Sequence, residues 1–176
     1  MNIIEELKKG ENNRLEFKRE FPKSAESFLK TVVAFSNGNG GKIVFGVQEE
    51  PFQIVGVPEN EIFELRDKIA NLIVDRCRPA IIPEIYVENV EGKYLLVVGI
   101  YPGSEKPYYL KLKGKEEVFV RIGATTRLAD EETIDLLKLE RFNMSFDEKI
   151  IPSCVIEILG SKTPHFNARI QSRFVN

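Results

Sequence analysis

The chain has no tryptophan, one histidine, two cysteines and two methionines among its 176 residues. With His165 the lone histidine, a hydrolase built on a Ser–His or Cys–His pair would have to draw its base from the least periodic part of the chain, which argues against that class. Cys77 and Cys154 have no CxxC spacing, so a structural zinc site is disfavoured for the same lack of ligands. Cys77 falls four residues after Ile73 on a predicted helix and reads as a buried thiol. No apolar run approaches the ~20 residues that cross a bilayer. The opening Met1-Asn2-Ile3-Ile4-Glu5-Glu6 also lacks the basic and apolar regions of a signal peptide. The expected location is therefore cytoplasmic, with no membrane partner. An excess of positive charge is missing too: 25 basic residues face 27 acidic ones, for a net charge of −2. Nucleic-acid binding, if present, must come from a local patch rather than from overall charge.

What remains is an ordinary globular composition, 43% hydrophobic and 30% charged, of a length suited to one domain. The most informative stretch is Ala34-Phe35-Ser36-Asn37-Gly38-Asn39-Gly40-Gly41-Lys42-Ile43-Val44-Phe45-Gly46-Val47. Phe28, Leu29, Val32 and Phe35 recur at helical spacing before it, with Ser24 as an N-cap candidate. Asn37-Gly38 suits a left-handed helix stop, and Ile43 to Val47 reads as a buried strand. A glycine-rich loop with a lysine invites a nucleotide-binding reading, but a P-loop runs from strand to helix, and this one runs from helix to strand. Lys42 is also followed by Ile43 instead of Ser or Thr. An ATPase is the first reading to discard.

Along the rest of the chain, Ile3, Ile4 and Leu7 suit a short opening helix stopped by Gly10, and Arg14 to Lys18 alternates like a half-buried strand. Gln53 to Val57 suggests a short strand forming a hairpin across Glu49 to Phe52. A helix is expected over Glu59 to Cys77, with Ile62, Leu65, Ile69, Leu72 and Ile73 as its apolar stripe and Pro79 beyond it. Pro83 to Val90 and Lys93 to Tyr101 are strands joined at Glu91-Gly92, a hairpin signal. Brief pairing is expected at Tyr108 to Leu110, a strand at Glu117 to Ile122, and a helix opening at Ala129-Asp130-Glu131-Glu132. The domain expected from this pattern covers 1–142. Residues 143–176 read as a poorly organised tail or the stub of a longer architecture, with a candidate strand at Cys154 to Leu159.

Three segments in order resemble the Schlafen AlbA-like domain (AlbA-2, once labelled a divergent AAA domain), found widely in prokaryotic proteins described as transcriptional regulators. They are Glu11-Asn12-Asn13-Arg14-Leu15-Glu16-Phe17-Lys18, the Ala34 to Val47 stretch with Ile54-Val55-Gly56, and Val120-Arg121-Ile122-Gly123-Ala124-Thr125-Thr126-Arg127-Leu128-Ala129. The resemblance covers roughly residues 5 to 150. It implies an α+β fold, a mixed β-sheet flanked by helices, and nucleic-acid binding. In the Schlafen branch it also implies metal-dependent cleavage of structured RNA by three carboxylates. Glu11 and Glu16 match two of them, as metal ligands and catalytic groups. The third position holds Gln48, with Glu49 one residue on, and an amide binds a divalent cation more weakly than a carboxylate.

Each candidate residue has a plainer reading beside the functional one. Glu11, Glu16 and Glu49 could converge as catalytic carboxylates, or Glu16 could pair with Lys18 or Lys30 while Glu11 is merely solvated. Lys111, Lys113, Lys115, Arg121, Thr125, Thr126 and Arg127 could contact phosphates, with Tyr108 and Tyr109 stacking on bases. Alternatively, Arg121 pairs with an acid and the threonines only turn the chain. The leading expectation is a nucleic-acid-binding module (DNA or RNA) of a transcriptional-regulator type. The alternatives are a divalent-metal endoribonuclease with a degraded carboxylate site, which alone would call for Mg²⁺ or Mn²⁺ as a cofactor, and a non-catalytic scaffold that forms homo-oligomers.

Overall fold

The computed structural model describes residues 3–148. Met1–Arg141 form one compact unit and Phe142–Asn176 are assigned to a second. The strand expected at 154–159 lies outside the described residues.

The chain opens with α1 (Ile3–Leu7) and β1 (Leu15–Lys18), then α2 (Glu26–Asn37) and β2 (Gly41–Phe45). β1 and β2 are parallel neighbours, Leu15 opposite Lys42, so α2 is the crossover that parallel pairing requires. Two short strands, β3 (Val47–Gln48) and β4 (Gln53–Ile54), pair antiparallel. After α3 (Glu59–Arg76) and β5 (Cys77–Arg78) comes the long hairpin β6 (Glu84–Val90) and β7 (Lys93–Ile100), turning at Glu91-Gly92 as the sequence signals. The main sheet has the order β1-β2-β7-β6 and is mixed. β8 (Tyr109–Leu112) and β9 (Lys115–Glu117) form a small sheet with β5, and β10 (Phe119–Ile122) pairs with β11 (Thr125–Leu128). α4 (Glu131–Glu148) follows. This is the expected α+β class, and no described helix is long and apolar enough to cross a membrane.

Period-two alternation divides the sheet's side chains between two cores. Ile43, Phe45, Leu96, Val98 and Ile100 join the main core, which holds the buried apolar residues of α2 and α3. Val44, Leu95 and Val97 face a smaller core with Leu7, Leu15, Phe17, Val47 and Val90. α2 is buried nearly all round, from Phe28 to Asn37, as expected of a helix covered on opposite faces. Its N-terminal capping is slight, with Ser24 Oγ 3.4 Å from the Glu26 N–H. Capping contributes ~1 kcal/mol at best, whereas each fully buried Phe, Leu or Val contributes roughly 1.5–3 kcal/mol. Packing therefore holds this helix. α3 is amphipathic: Ile62, Ile69 and Ile73 are buried while Phe63 and Val74 are exposed.

The helix stop differs from its sequence expectation. Gly38 has φ −98° and ψ −138°, and the left-handed residue is Gly40, at φ +72°. The Gly40 N–H closes the helix on the Phe35 carbonyl at 2.9 Å. Asn37 is drawn inward instead. Its Nδ2 donates to the Tyr108 and Phe119 carbonyls at 3.0 Å each, and its Oδ1 accepts from the Tyr108 N–H at 2.7 Å. The Thr125-Thr126 stretch, read as a turn, is strand β11, and the turn falls at Gly123-Ala124.

At Gly40 a side chain would meet the Ile100 carbonyl oxygen at 2.6 Å and Pro102 Cδ at 2.9 Å. Left-handed φ and backbone collision act together there, so Gly40→Val is expected to lower stability by about 2 kcal/mol or more. Urea unfolding with a midpoint equal to that of the unsubstituted chain would refute this.

Candidate nucleic-acid interface and carboxylate cluster

Glu11 lies just past Gly10, and its Oε1 accepts the Phe17 N–H at 2.7 Å. Partial burial pushes its pKa above the ordinary carboxylate value. The charges of Glu16 and Glu49 push the same way, opposed by the Phe17 hydrogen bond and Lys18. Glu16 is buried on β1 between Lys18 Nζ at 2.7 Å and Arg121 Nη1 at 2.5 Å. Lys18 is therefore one partner that the sequence offered for Glu16, and Arg121 is one it did not. Gln48 accepts from Arg19 Nη1 at 2.5 Å and donates to the Glu50 carbonyl at 3.2 Å. Glu49 is exposed. The carboxylates are near enough to feel one another. Among the described residues, however, no three His, Cys, Asp or Glu side chains meet as a metal-holding group. One oxygen of Glu16 faces each of two cations, and the Gln48 oxygen is turned to Arg19. This donor set does not fit a carboxylate-held divalent ion.

Arg121 is an interior residue, its side chain 4% exposed. Besides Glu16, its guanidinium donates to the Asn12 carbonyl at 3.1 and 3.3 Å and to Thr126 Oγ1 at 3.1 Å, and it lies over the Phe35 ring at 5.3 Å. Thr126 Oγ1 is in turn 3.3 Å from Thr31 Oγ1 on α2. Tyr108 is buried in the main core, so its ring is not presented to solvent for stacking. Tyr109 is half-buried, and Thr125 and Arg127 are exposed.

The lysines behave differently. β8 and β9 are joined by a two-residue turn, Lys113-Gly114, with φ +48° and +81°. Positive φ at both positions is the geometry that matches the twist of a tight hairpin. Lys111, Lys113 and Lys115 are all exposed on it. With Arg76, whose Nε donates to the Lys111 carbonyl at 3.0 Å, they line a cleft of about 820 Å³ in which Glu116 is the one acidic member. Arg78 is exposed on β5 and lies in register with Tyr109. Arg76 and Arg78 escaped the sequence reading. Their signal was the basic end of α3 followed at once by a short extended segment.

The family described as Schlafen, AlbA_2 matches residues 11–130. An uncharacterized ATP-binding protein of Ureaplasma parvum is 41% identical over 73 residues, 38% of this chain but only 20% of that protein. The chain thus spans about one-fifth of this curated relative. Among solved structures, the N-terminal domain of an ATP-dependent DNA helicase RecG-related protein from Nitrosomonas europaea superposes with a TM-score of 0.55. It is 29% identical and covers 71% of this chain and 89% of that one. A Corynebacterium diphtheriae protein, 20% identical, shares the fold with a TM-score of 0.51 over 73% of this chain and 27% of its own.

Two stability outcomes follow from the cluster. A carboxylate whose folded pKa is raised lowers stability as pH rises through its titration, since the unfolded state releases that proton more readily. Glu11→Gln keeps an acceptor for the Phe17 N–H and removes the charge. It should raise the melting temperature at pH 7, by a margin that shrinks toward pH 4; a lower melting temperature at pH 7 would refute this. Arg121→Ala leaves one buried oxygen of Glu16 and the Asn12 carbonyl without their donor and opens the interior, and should cost about 3 kcal/mol or more of stability in urea unfolding. A fully stable Arg121→Ala variant would show that the ion pair is dispensable.

Proposed function

Because the chain belongs to the Schlafen AlbA_2 family and carries an exposed lysine hairpin, we propose that it is a nucleic-acid-binding module of a regulatory type. The observation that carries this reading is the concentration of Arg76, Lys111, Lys113 and Lys115 around one cleft, on a chain whose net charge is −2. Cationic side chains on a rigid turn neutralise phosphates and release counterions, which drives association without help from overall charge. Arg127 and Thr125, exposed on the β10–β11 hairpin, are further donors for phosphate oxygens. The solved relative's description as RecG-related and DNA-helicase-related makes duplex DNA the first probe, with structured RNA as the second.

Binding of a labelled duplex should weaken steadily as salt rises. Replacing Lys111, Lys113 and Lys115 together by alanine should lower the log–log salt slope by roughly 2–3, and Arg127→Ala by about 1. Fluorescence anisotropy that detects no binding of DNA or RNA at low salt would overturn the reading.

A further inference from the structure

β6 is an outer strand of the main sheet, and among the described residues no backbone hydrogen bond reaches its far edge. Val90 and Lys93 flank the two-residue turn of the β6–β7 hairpin. In such a hairpin the flanking pair exchanges both of its backbone bonds, and bonded pairs then alternate along the ladder. Glu84, Tyr86, Glu88 and Val90 therefore bond to β7, whereas Ile85, Val87 and Asn89 aim their N–H and C=O groups outward. The seven residues contain no lysine, proline or bulge, the usual devices that protect an edge. Val87, at the middle, is 42% exposed.

We propose that β6 pairs antiparallel with β6 of a second copy of this chain, about a two-fold axis through Val87. That register uses all three outward-facing residues, Val87 opposite Val87 and Ile85 opposite Asn89. It also sets Glu88 opposite Tyr86 and Glu84 opposite Val90, so no two carboxylates stand face to face. Moving the axis to Tyr86 would oppose Glu84 with Glu88 and would leave Asn89 with no β6 residue opposite it. Both charge and the number of outward-facing residues paired select the Val87 register.

The test is sedimentation of the 176-residue chain, with variants at the axis. The chain should reach twice its 20.1 kDa mass as concentration rises toward about 100 µM. Val87→Lys places like charges directly opposite each other and should raise the dimer dissociation constant about tenfold or more. Val87→Pro removes only an outward N–H and should do the same while leaving the β6–β7 ladder intact. In a Cys154→Ser background, Val87→Cys should cross-link readily, because bonded antiparallel pairs sit at ~5.5 Å between Cα atoms, within disulfide reach. Glu84→Cys should not cross-link. Cys77 stays silent there, buried with its thiol pKa pushed up to about 12. A monomer at every concentration would overturn the proposal. So would a dimer that Val87→Lys leaves unchanged, or one cross-linked as well through position 84 as through 87.

Discussion

The carboxamide of Asn37 is the joint on which the fold closes. It stands at the C-terminal end of α2, where a helix would ordinarily offer its last carbonyls to water, and it reaches into the interior to satisfy Tyr108 twice and Phe119 once. No other residue type of this size offers donors and an acceptor together, so aspartate or leucine would leave buried backbone groups unpaired. Through those bonds the end of α2 sets where β8 and β10 begin. β8 in turn leads into the Lys113-Gly114 turn. The lysines at the surface are thus positioned by an amide at the centre.

Arg121, on the same strand β10 as Phe119, plays a parallel part beside α2. Its guanidinium spans the loop before β1, the Glu16 carboxylate, Thr126 and the Phe35 ring. A buried cation is tolerable only when each donor finds an acceptor, and here a charged partner and several neutral ones share the work. The segment around Arg121, which resembles a ligand-binding motif in sequence, is therefore architectural at this residue and at Thr126. Arg127 and Thr125, on the same hairpin, remain at the surface.

The local parts of this structure were legible. Helical spacing over Phe28 to Phe35, alternation in Lys93 to Tyr101 and the Glu91-Gly92 turn each name an element from a few neighbouring residues. Tyr108, Leu110 and Leu112 alternate as well, and reading that period through would have put Tyr108 inside and Tyr109 outside. Other features had no local signal. The partnership of Glu16 with Arg121 joins residues 105 positions apart, and nothing near Asn37 announces that its side chain serves Tyr108 and Phe119. The left-handed residue fell at Gly40 and not at Gly38 because the turn must pass beneath the Ile100 carbonyl and Pro102, which lie on a strand and loop far along the chain.

The burial of α2 on opposite faces has a temporal side. The parallel β1–β2 pair and α2 itself are complete by Phe45, but the residues that cover the helix's outer face, Tyr108 and Phe119 to Leu128, are translated much later. Until they arrive, apolar positions of α2 stay wet and Asn37 has neither of its partners. Tertiary order in the first half of the chain therefore waits on the second, so the unit matures as a whole and a nascent chain halted before β8 holds an adhesive surface.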